Sequence, residues 1–368
     1  MCWKQKLKGG TFGSETLVDS SETGIMSARI DVGGAGAGSA SIASIAAEAG
    51  VSIPTVSKVL NGRPDVARET RERVERVIKE HGYQRRRARQ SSRPALIDLV
   101  FAELHSEWTV EIVRGVEQVS ANERAAVVLS ELGGAHRPRR EWFEDLLARQ
   151  PLGVIFVLAD LDADQCEQLT TRNIPFVVVD TAGELPPAVP TVGSANWGGG
   201  LAATRHLVSL GHRRIAVISG PTTVLCSRAR VDGYRSALDE AGIPADPNLV
   251  RYGDFHVTGG YTHGLELLRR ADRPTAVFAG SDLQAIGVMR AARELGLSVP
   301  GDVSLIGYDD LPVAEWIDPS LTTVRQPLRE MATTAAGMVF ALARGEQPPN
   351  TRIDLATELI VRHSTAPR

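Results

Sequence analysis

The sequence predicts an all-α headpiece of the helix-turn-helix type, followed by an α/β body made of two doubly wound parallel-sheet lobes. The 368 residues are more than twice the usual length of one domain. Short helical segments occupy residues 41–83, and short apolar strands alternate with amphipathic helices from residue 95 onward. Such alternation is typical of parallel sheets covered on both faces. About 275 residues are more than one open sheet usually contains, which favours two lobes.

The headpiece contains three predicted helices. Apolar residues recur at helical spacing over 42–49, and Gly50 ends the pattern. Ser52 is a suitable N-cap for a second helix over Ile53–Leu60, and a third helix is expected over Glu69–His81. Two short helices joined by a tight turn and followed by a third helix predict a helix-turn-helix unit.

The body, residues 95–368, alternates two kinds of segment. The apolar segments of strand length are Leu96–Phe101, Ala125–Leu129, Gly153–Leu158, Phe176–Val179, Ile215–Ile218, Thr275–Ala279 and Val303–Ile306. The segments that predict helices are Glu111–Asn122, Trp142–Arg149, Gly198–Leu210, Arg230–Ala241, Gly259–Arg270 and Leu283–Leu295. Because the strand segments are almost continuously apolar, we expect them to be buried on both faces.

The first forty residues predict a disordered N-terminal tail, since they hold eight glycines and five serines without apolar periodicity. The glycine-rich run over 33–38 lacks the Lys-Ser/Thr pair of a phosphate loop, so no nucleotide cofactor is expected. No apolar run reaches the ~18 residues needed to cross a bilayer, and no secretory signal is visible. Cys2, Cys166 and Cys226 are scattered, which argues against a disulfide framework or a metal site and favours a cytoplasmic location.

Charge is distributed unevenly, although the formal net charge is only −3. Residues 41–93 hold twelve Lys and Arg against six Asp and Glu, whereas residues 94–368 hold 25 against 34. A basic head on an acidic body is typical of a nucleic-acid-binding module, whose phosphate contacts make affinity depend steeply on salt. A solvated helix that happens to carry arginines is the alternative.

Residues 45–62 read I-A-A-E-A-G-V-S-I-P-T-V-S-K-V-L-N-G. This run resembles the DNA-binding headpiece of the LacI/GalR family of transcriptional regulators. The resemblance extends to residues 66–74, 81–83, 210–216, 230–234, 281–287, 299–310 and 321–324. It implies a body of the periplasmic-binding-protein type, in which two lobes close on a small ligand.

The resemblance also implies where DNA is bound. The second headpiece helix would lie in the major groove, and Ile53 and Pro54 match the family positions that read sequence. Both are apolar, so they can contact a thymine methyl group but cannot form bidentate hydrogen bonds. Val56, Val59 and Leu60 are expected in the headpiece core. The expected DNA contacts in this region are Ser52, Ile53, Pro54, Thr55, Ser57, Lys58 and Asn61.

Residues 84–94 predict a basic hinge linker that departs from the family pattern. Many members place a leucine from this segment in the minor groove, and no leucine occurs here. Its arginines can enter a narrow minor groove or follow the phosphates, or the linker can stay disordered until DNA binds. The arginines expected to contact DNA are Arg85, Arg86, Arg87 and Arg89.

Candidate effector ligands follow strand ends in the body. Arg230 matches the family arginine that contacts sugar hydroxyls, which suits a planar fork of donors. Asp309 follows the strand at 303–306, where open α/β sheets bind ligands. Asp282 follows another strand end, but capping of the helix that begins at Leu283 is an equal alternative.

Three tryptophans also fall near strand ends: Trp108, Trp197 beside Asn196, and Trp316. Aromatic faces stack on sugar rings, so these residues favour a carbohydrate over a purine or an amino acid. Core packing is the alternative for each of them.

Together these features predict a sequence-specific DNA-binding transcriptional repressor whose operator affinity is controlled by a sugar or oligosaccharide. A homodimer on a pseudo-palindromic operator is expected, since two headpieces must match two half-sites. A sugar-binding protein without DNA activity is the alternative. An enzyme would need a phosphate loop or a nucleophile–base pair, and neither is visible; His105, His256 and His263 are expected at the surface or in loops.

Overall fold

The computed structural model describes residues 41–60, 66–81, 95–104 and 106–368. The chain divides into two compact units, Met1–Ser91 and Ser92–Arg368. Asn61, the four linker arginines, His105 and the predicted N-terminal tail lie outside the described residues. Within the described ranges, no helix is long and apolar enough to cross a membrane.

The headpiece unit contains helices α1 (Ile42–Glu48), α2 (Ile53–Leu60) and α3 (Arg68–Glu80). The Ser52 hydroxyl accepts a hydrogen bond from the Thr55 backbone N–H at 3.3 Å, which confirms the predicted N-cap of α2. Val56 and Val59 are buried, as predicted. The headpiece core consists of Ile45, Ala46, Ala49, Val56, Val59, Val74 and Val77.

The body contains two sheets of six strands each, so the predicted pair of doubly wound lobes is confirmed. The strands are β1 (Ala95–Phe101), β2 (Ala125–Glu131), β3 (Gly153–Val157), β4 (Phe176–Val179), β5 (Thr191–Ser194), β6 (Ile215–Ser219), β7 (Val250–Tyr252), β8 (Ala276–Ala279), β9 (Ser304–Asp309), β10 (Thr322–Arg325), β11 (Arg352–Leu355) and β12 (Glu358–Ile360). The first sheet has the order β11-β5-β4-β3-β1-β2, and the second has the order β12-β10-β9-β8-β6-β7. All pairings are parallel except that of β10 with β12.

Helices cover both faces of each sheet. Those of the first lobe are α4 (Glu107–Asn122), α5 (Arg140–Arg149), α6 (Ala163–Thr171) and α12 (Leu328–Arg344). Those of the second lobe are α7 (Asn196–Ser209), α8 (Leu225–Glu240), α9 (Val257–Leu268), α10 (Asp282–Glu294) and the short α11 (Val313–Trp316). Alternate strand residues face opposite layers: Leu99 packs in the cluster that includes Met331, and Val100 packs in the one that includes Leu146.

The chain passes between the lobes three times. The first crossover joins β5 to α7 at residues 194–196, the second joins β10 to α12 at residues 325–328, and the third joins β11 to β12 at residues 355–358. Lobe 1 therefore holds residues 95–194 and 328–355, and lobe 2 holds residues 196–325 and 358–368. The lobes are tied at one hinge of three neighbouring segments.

Candidate functional site

A cavity of about 300 Å³ lies between the two lobes of the body. Its wall is built from residues at the carboxyl ends of parallel strands, which is the expected ligand position in open α/β sheets. Its polar and charged lining includes Glu103, Ser106, Thr109, His136, Asp180, Arg230, Asp254, His256, Ser281 and Asp309. Its aromatic lining consists of Phe101, Trp108 and Phe255.

Arg230 is buried on α8 and is held in a fixed orientation. Its guanidinium donates hydrogen bonds to Asn196 Oδ1 at 2.8 Å and to the Gly280 carbonyl oxygen at 2.5 Å. The same group lies over the ring of Tyr308, with Cζ 3.7 Å from the ring centroid. Helix α7 can pack this closely on α8 because residue 200 is a glycine. A Cβ atom at this position would overlap the Arg230 backbone carbonyl. The cavity therefore presents a cation whose planar fork is already positioned.

Two buried carboxyl groups lie near this cation. Burial raises the pKa of Asp180 to about 6, and the positive charge of Arg230 opposes that rise. Burial likewise raises the pKa of Asp309 to about 7, again against the effect of Arg230. Asp309 has a φ of 114°, an uncommon value for a residue other than glycine, so the end of β9 holds it in a strained backbone conformation. Burial therefore disfavours the charged form of both carboxyl groups, whereas the positive charge of Arg230 favours it.

Asp282 occupies a different position from the one expected of an effector ligand. It is buried behind the cavity wall, where it accepts hydrogen bonds from the Leu311 N–H at 2.8 Å and the Thr323 hydroxyl at 2.6 Å. The N-cap of α10 is Ser281, whose hydroxyl accepts from the Gln284 N–H, so the expectation that Asp282 caps this helix is wrong. Burial, and then the charge of Asp309, raise the pKa of Asp282 well above its ordinary value. Through its hydrogen bond with the Leu311 N–H, Asp282 thus holds the loop that follows Asp309 in place.

Of the three tryptophans predicted as effector ligands, one lies at the cavity and two do not. Trp108 lines the cavity, whereas Trp197 is 48% exposed and Trp316 is 71% exposed, and neither lines it. A Cβ atom at Gly233 would overlap the Trp197 carbonyl, so α8 packs tightly on the backbone of that turn, while the indole remains on the outside. Asn196 also lies off the lining, but it contacts the cavity through its hydrogen bond with Arg230.

Sequence reasoning missed several cavity residues that follow strand ends. His256, expected only at the surface or in a loop, lines the cavity, and its Nε2 lies 3.1 Å from Glu103 Oε2 of the opposite lobe. Asp254 accepts a hydrogen bond from the His256 backbone N–H at 3.0 Å. Asp180 comes directly after the predicted strand at 176–179, so the strand-end rule that selected Asp309 would also have found it.

The headpiece presents one face of α2 to solvent. Ile53 is 52% exposed, Pro54 and Lys58 are exposed, and the buried Val56 faces the core. The exposed side of α2 therefore carries both apolar and cationic side chains, whereas its buried side packs on the headpiece core. In the described part of the chain, no group of three or more His, Cys, Asp or Glu residues is arranged to hold a metal ion.

Family models match both units of the chain. The model described as bacterial regulatory proteins, lacI family, matches residues 41–86. The model described as a periplasmic binding protein-like domain matches residues 204–365. The first match covers the predicted helix-turn-helix unit, and the second covers most of lobe 2 and the second and third crossovers.

Relatives of known type match over almost their whole length. The transcriptional regulator CelR of Thermobifida fusca is 37% identical over 87% of this chain and 96% of its own. The transcriptional regulator MalR of Streptomyces coelicolor is 36% identical over 88% of this chain and 96% of its own.

Solved structures give the same result. A complex of the transcriptional regulator CelR with cellobiose has a TM-score of 0.67 at 35% identity, over 88% of this chain and 99% of that one. The lac repressor dimer bound to operator and an anti-inducer has a TM-score of 0.65 at 28% identity, over 89% of this chain and 99% of that one.

Proposed function

The chain belongs to the lacI family of bacterial regulatory proteins, and we propose that its DNA binding is controlled by a carbohydrate held in the cavity between its two lobes. It is a DNA-binding transcriptional regulator of that family. The alternative of a sugar-binding protein without DNA activity is excluded, because the headpiece and the body both match such regulators. We assign residues 41–83 to the headpiece, 84–94 to the linker and 95–368 to the sensor.

The single observation that carries the carbohydrate proposal is the chemistry of the cavity. A buried guanidinium and two buried carboxyl groups offer fixed donors and acceptors at one end, and Trp108 offers an aromatic face. Sugars match this combination because their hydroxyls both donate and accept hydrogen bonds, while their C–H faces stack on aromatic rings. Arg230, Asp180, Asp309 and Trp108 are therefore our proposed effector ligands, with Asn196 holding Arg230 in place.

The cavity volume and the relatives narrow the class of sugar. A volume of about 300 Å³ lies at the small end of ligand cavities, which span roughly 300–1,000 Å³, and suits a mono- or disaccharide better than a longer chain. CelR was solved with cellobiose, a disaccharide. Cellobiose is therefore the first probe, and maltose is the natural comparison.

For the DNA side, we propose that α2 enters the major groove of an operator half-site. Its exposed Ile53 and Pro54 would meet base edges, and Lys58 would meet the phosphate backbone. Two copies would bind a pseudo-palindromic operator, as in the solved lac repressor dimer on its operator. The protein would act in the cytoplasm, where bacterial DNA lies, and would catalyse no reaction.

We expect carbohydrate binding to lower operator affinity by favouring a state of the two lobes that binds the operator less tightly. A difference of ~1–3 kcal/mol in sugar affinity between these states is enough to change operator affinity about 5–150-fold.

The test uses the full chain and an operator selected from random duplex DNA. Operator affinity is measured by fluorescence anisotropy with and without cellobiose, maltose and glucose. At least one sugar should weaken operator binding about fivefold or more. If no sugar changes either operator affinity or the melting temperature of the protein, the carbohydrate proposal is wrong.

A further inference from the structure

We propose that a closed ring of five buried residues connects the cavity to the hinge, and that Ser194 and Gln326 in this ring are positioning residues for the response to effector. The inference rests on the proposed function, since it concerns regulation of the same cavity. The ring consists of Arg230, Asn196, Ser194, Gln326 and Asp309.

Four hydrogen bonds and one ion pair link the five residues of the ring. Arg230 donates to Asn196 Oδ1 at 2.8 Å, and Asn196 Nδ2 donates to the Ser194 carbonyl at 3.0 Å. The Ser194 hydroxyl donates to Gln326 Oε1 at 2.6 Å, and Gln326 Nε2 donates to Asp309 Oδ1 at 2.6 Å. Asp309 Oδ1 lies 4.0 Å from Arg230 Nη1, which closes the circuit as an ion pair.

The ring joins residues that line the cavity to residues at the crossovers between the lobes. Arg230 and Asp309 line the cavity, Ser194 and Asn196 flank the first crossover, and Gln326 belongs to the second crossover. The Ala195 backbone N–H between them donates to the Leu355 carbonyl at 2.8 Å, which brings in the third crossover. A ligand that moves Arg230 or Asp309 therefore acts on the segments about which the lobes turn.

Burial gives these contacts their weight. All five side chains are buried, so a broken hydrogen bond here is not replaced readily by water. Gln326 uses both ends of its amide, the oxygen toward Ser194 and the nitrogen toward Asp309. When the Asp309 carboxylate shifts, the planar amide of Gln326 shifts with it and alters the hydrogen bond to Ser194 at the first crossover.

Ser194→Ala is the sharpest variant, because it deletes one oxygen atom. It removes the bond to Gln326 and leaves the Ser194 carbonyl on Asn196 and the amide of Gln326 on Asp309. Ser194→Thr restores a hydroxyl. Thr204→Val is the matched control, since it also removes a buried hydroxyl with one hydrogen bond, to the Gly200 carbonyl within α7 and away from the crossovers.

The first measurement uses cellobiose and the selected operator. Ser194→Ala should bind cellobiose within about threefold of the wild-type affinity, yet cellobiose should change its operator affinity by less than a third of the wild-type factor. Thr204→Val and Ser194→Thr should keep the wild-type factor. A merely structural role would lower the melting temperature without changing this ratio, and a full response in Ser194→Ala overturns the proposal.

The second measurement needs no sugar and separates failure of the ring from failure of the proposed function. Spin labels on cysteines introduced at the exposed Asp145 of lobe 1 and Asp239 of lobe 2 report the distance between the lobes. Ser194→Ala should broaden the distance distribution, and Thr204→Val should leave it unchanged. If cellobiose does not bind the wild type, the carbohydrate proposal fails while this result still decides the ring; an unaltered distribution in Ser194→Ala overturns it.

Discussion

Glu103 of lobe 1 and His256 of lobe 2 face each other at the cavity, with 3.1 Å between Oε2 and Nε2. A cluster of buried Ala182, Val224 and Cys226 lies between the lobes close by, with Phe255 packed against it. The two lobes are therefore already joined on the side of the cavity away from the hinge. We expect a ligand to enter by separating these contacts, and we expect the contacts to form again over it.

The first prediction concerns this pair. Glu103→Gln should weaken closure and lower cellobiose affinity by about twofold to fivefold, since a partly exposed contact between a carboxylate and an imidazole contributes up to about 1 kcal/mol. The loss should lie mainly in faster release of the sugar, measured by stopped-flow fluorescence. Glu141→Gln, on the surface of α5, is the control. An unchanged release rate in Glu103→Gln would contradict a closing role.

The second prediction concerns the shape of the cation. Arg230→Lys keeps the charge but loses the planar fork that reaches Asn196 and the Gly280 carbonyl together. Cellobiose affinity should fall at least tenfold by isothermal titration calorimetry, while operator binding without sugar stays within about twofold. Arg235→Lys, half-exposed on the same helix, should change neither. Normal cellobiose affinity in Arg230→Lys would remove this residue from the site.

The third prediction separates phosphate contact from base contact in the headpiece. Lys58→Ala should weaken binding to all duplexes alike and reduce the slope of log affinity against log salt by about 1. Ile53→Ala should leave that slope unchanged but alter the preferred operator in a binding-site selection, because its apolar surface can meet a thymine methyl group. Identical selected sequences for wild type and Ile53→Ala would argue against base contact at this position.

The strands predicted from sequence were those with continuous apolar runs, such as Gly153–Val157, because burial on both faces requires apolar residues at every position. The strand Thr191–Ser194 was missed, since its four residues include Gly193 and two hydroxyl side chains. Helix Leu328–Arg344 was not predicted, because its several alanines reduce the difference in polarity between its two faces. In these segments, the neighbouring strands and helices decide the structure.

The residues of the cavity likewise include some that the sequence predicts and others that it does not. Arg230 and Asp309 could be predicted, because a motif and a strand end mark them. His256 follows the short strand Val250–Tyr252, which the apolar pattern does not reveal, so its place at the cavity depends on tertiary structure. Trp316 was expected at the cavity and lies exposed, because the direction of the single turn Val313–Trp316 is set by packing that sequence spacing does not encode.

The last prediction concerns pH and Asp180, whose carboxyl lies near Arg230 and Asp354. Because burial raises its pKa from 3.8 to about 6, the folded state keeps a proton that the unfolded chain releases between these values, so stability falls as pH rises through this range. Asp180→Asn removes the titration, and any lost hydrogen bond adds an offset that does not depend on pH. The melting temperature of the variant minus that of the wild type should therefore rise from about pH 4 to pH 7 and then level off. A flat difference for Asp180→Asn would mean that burial does not raise the pKa of this carboxyl in the folded protein.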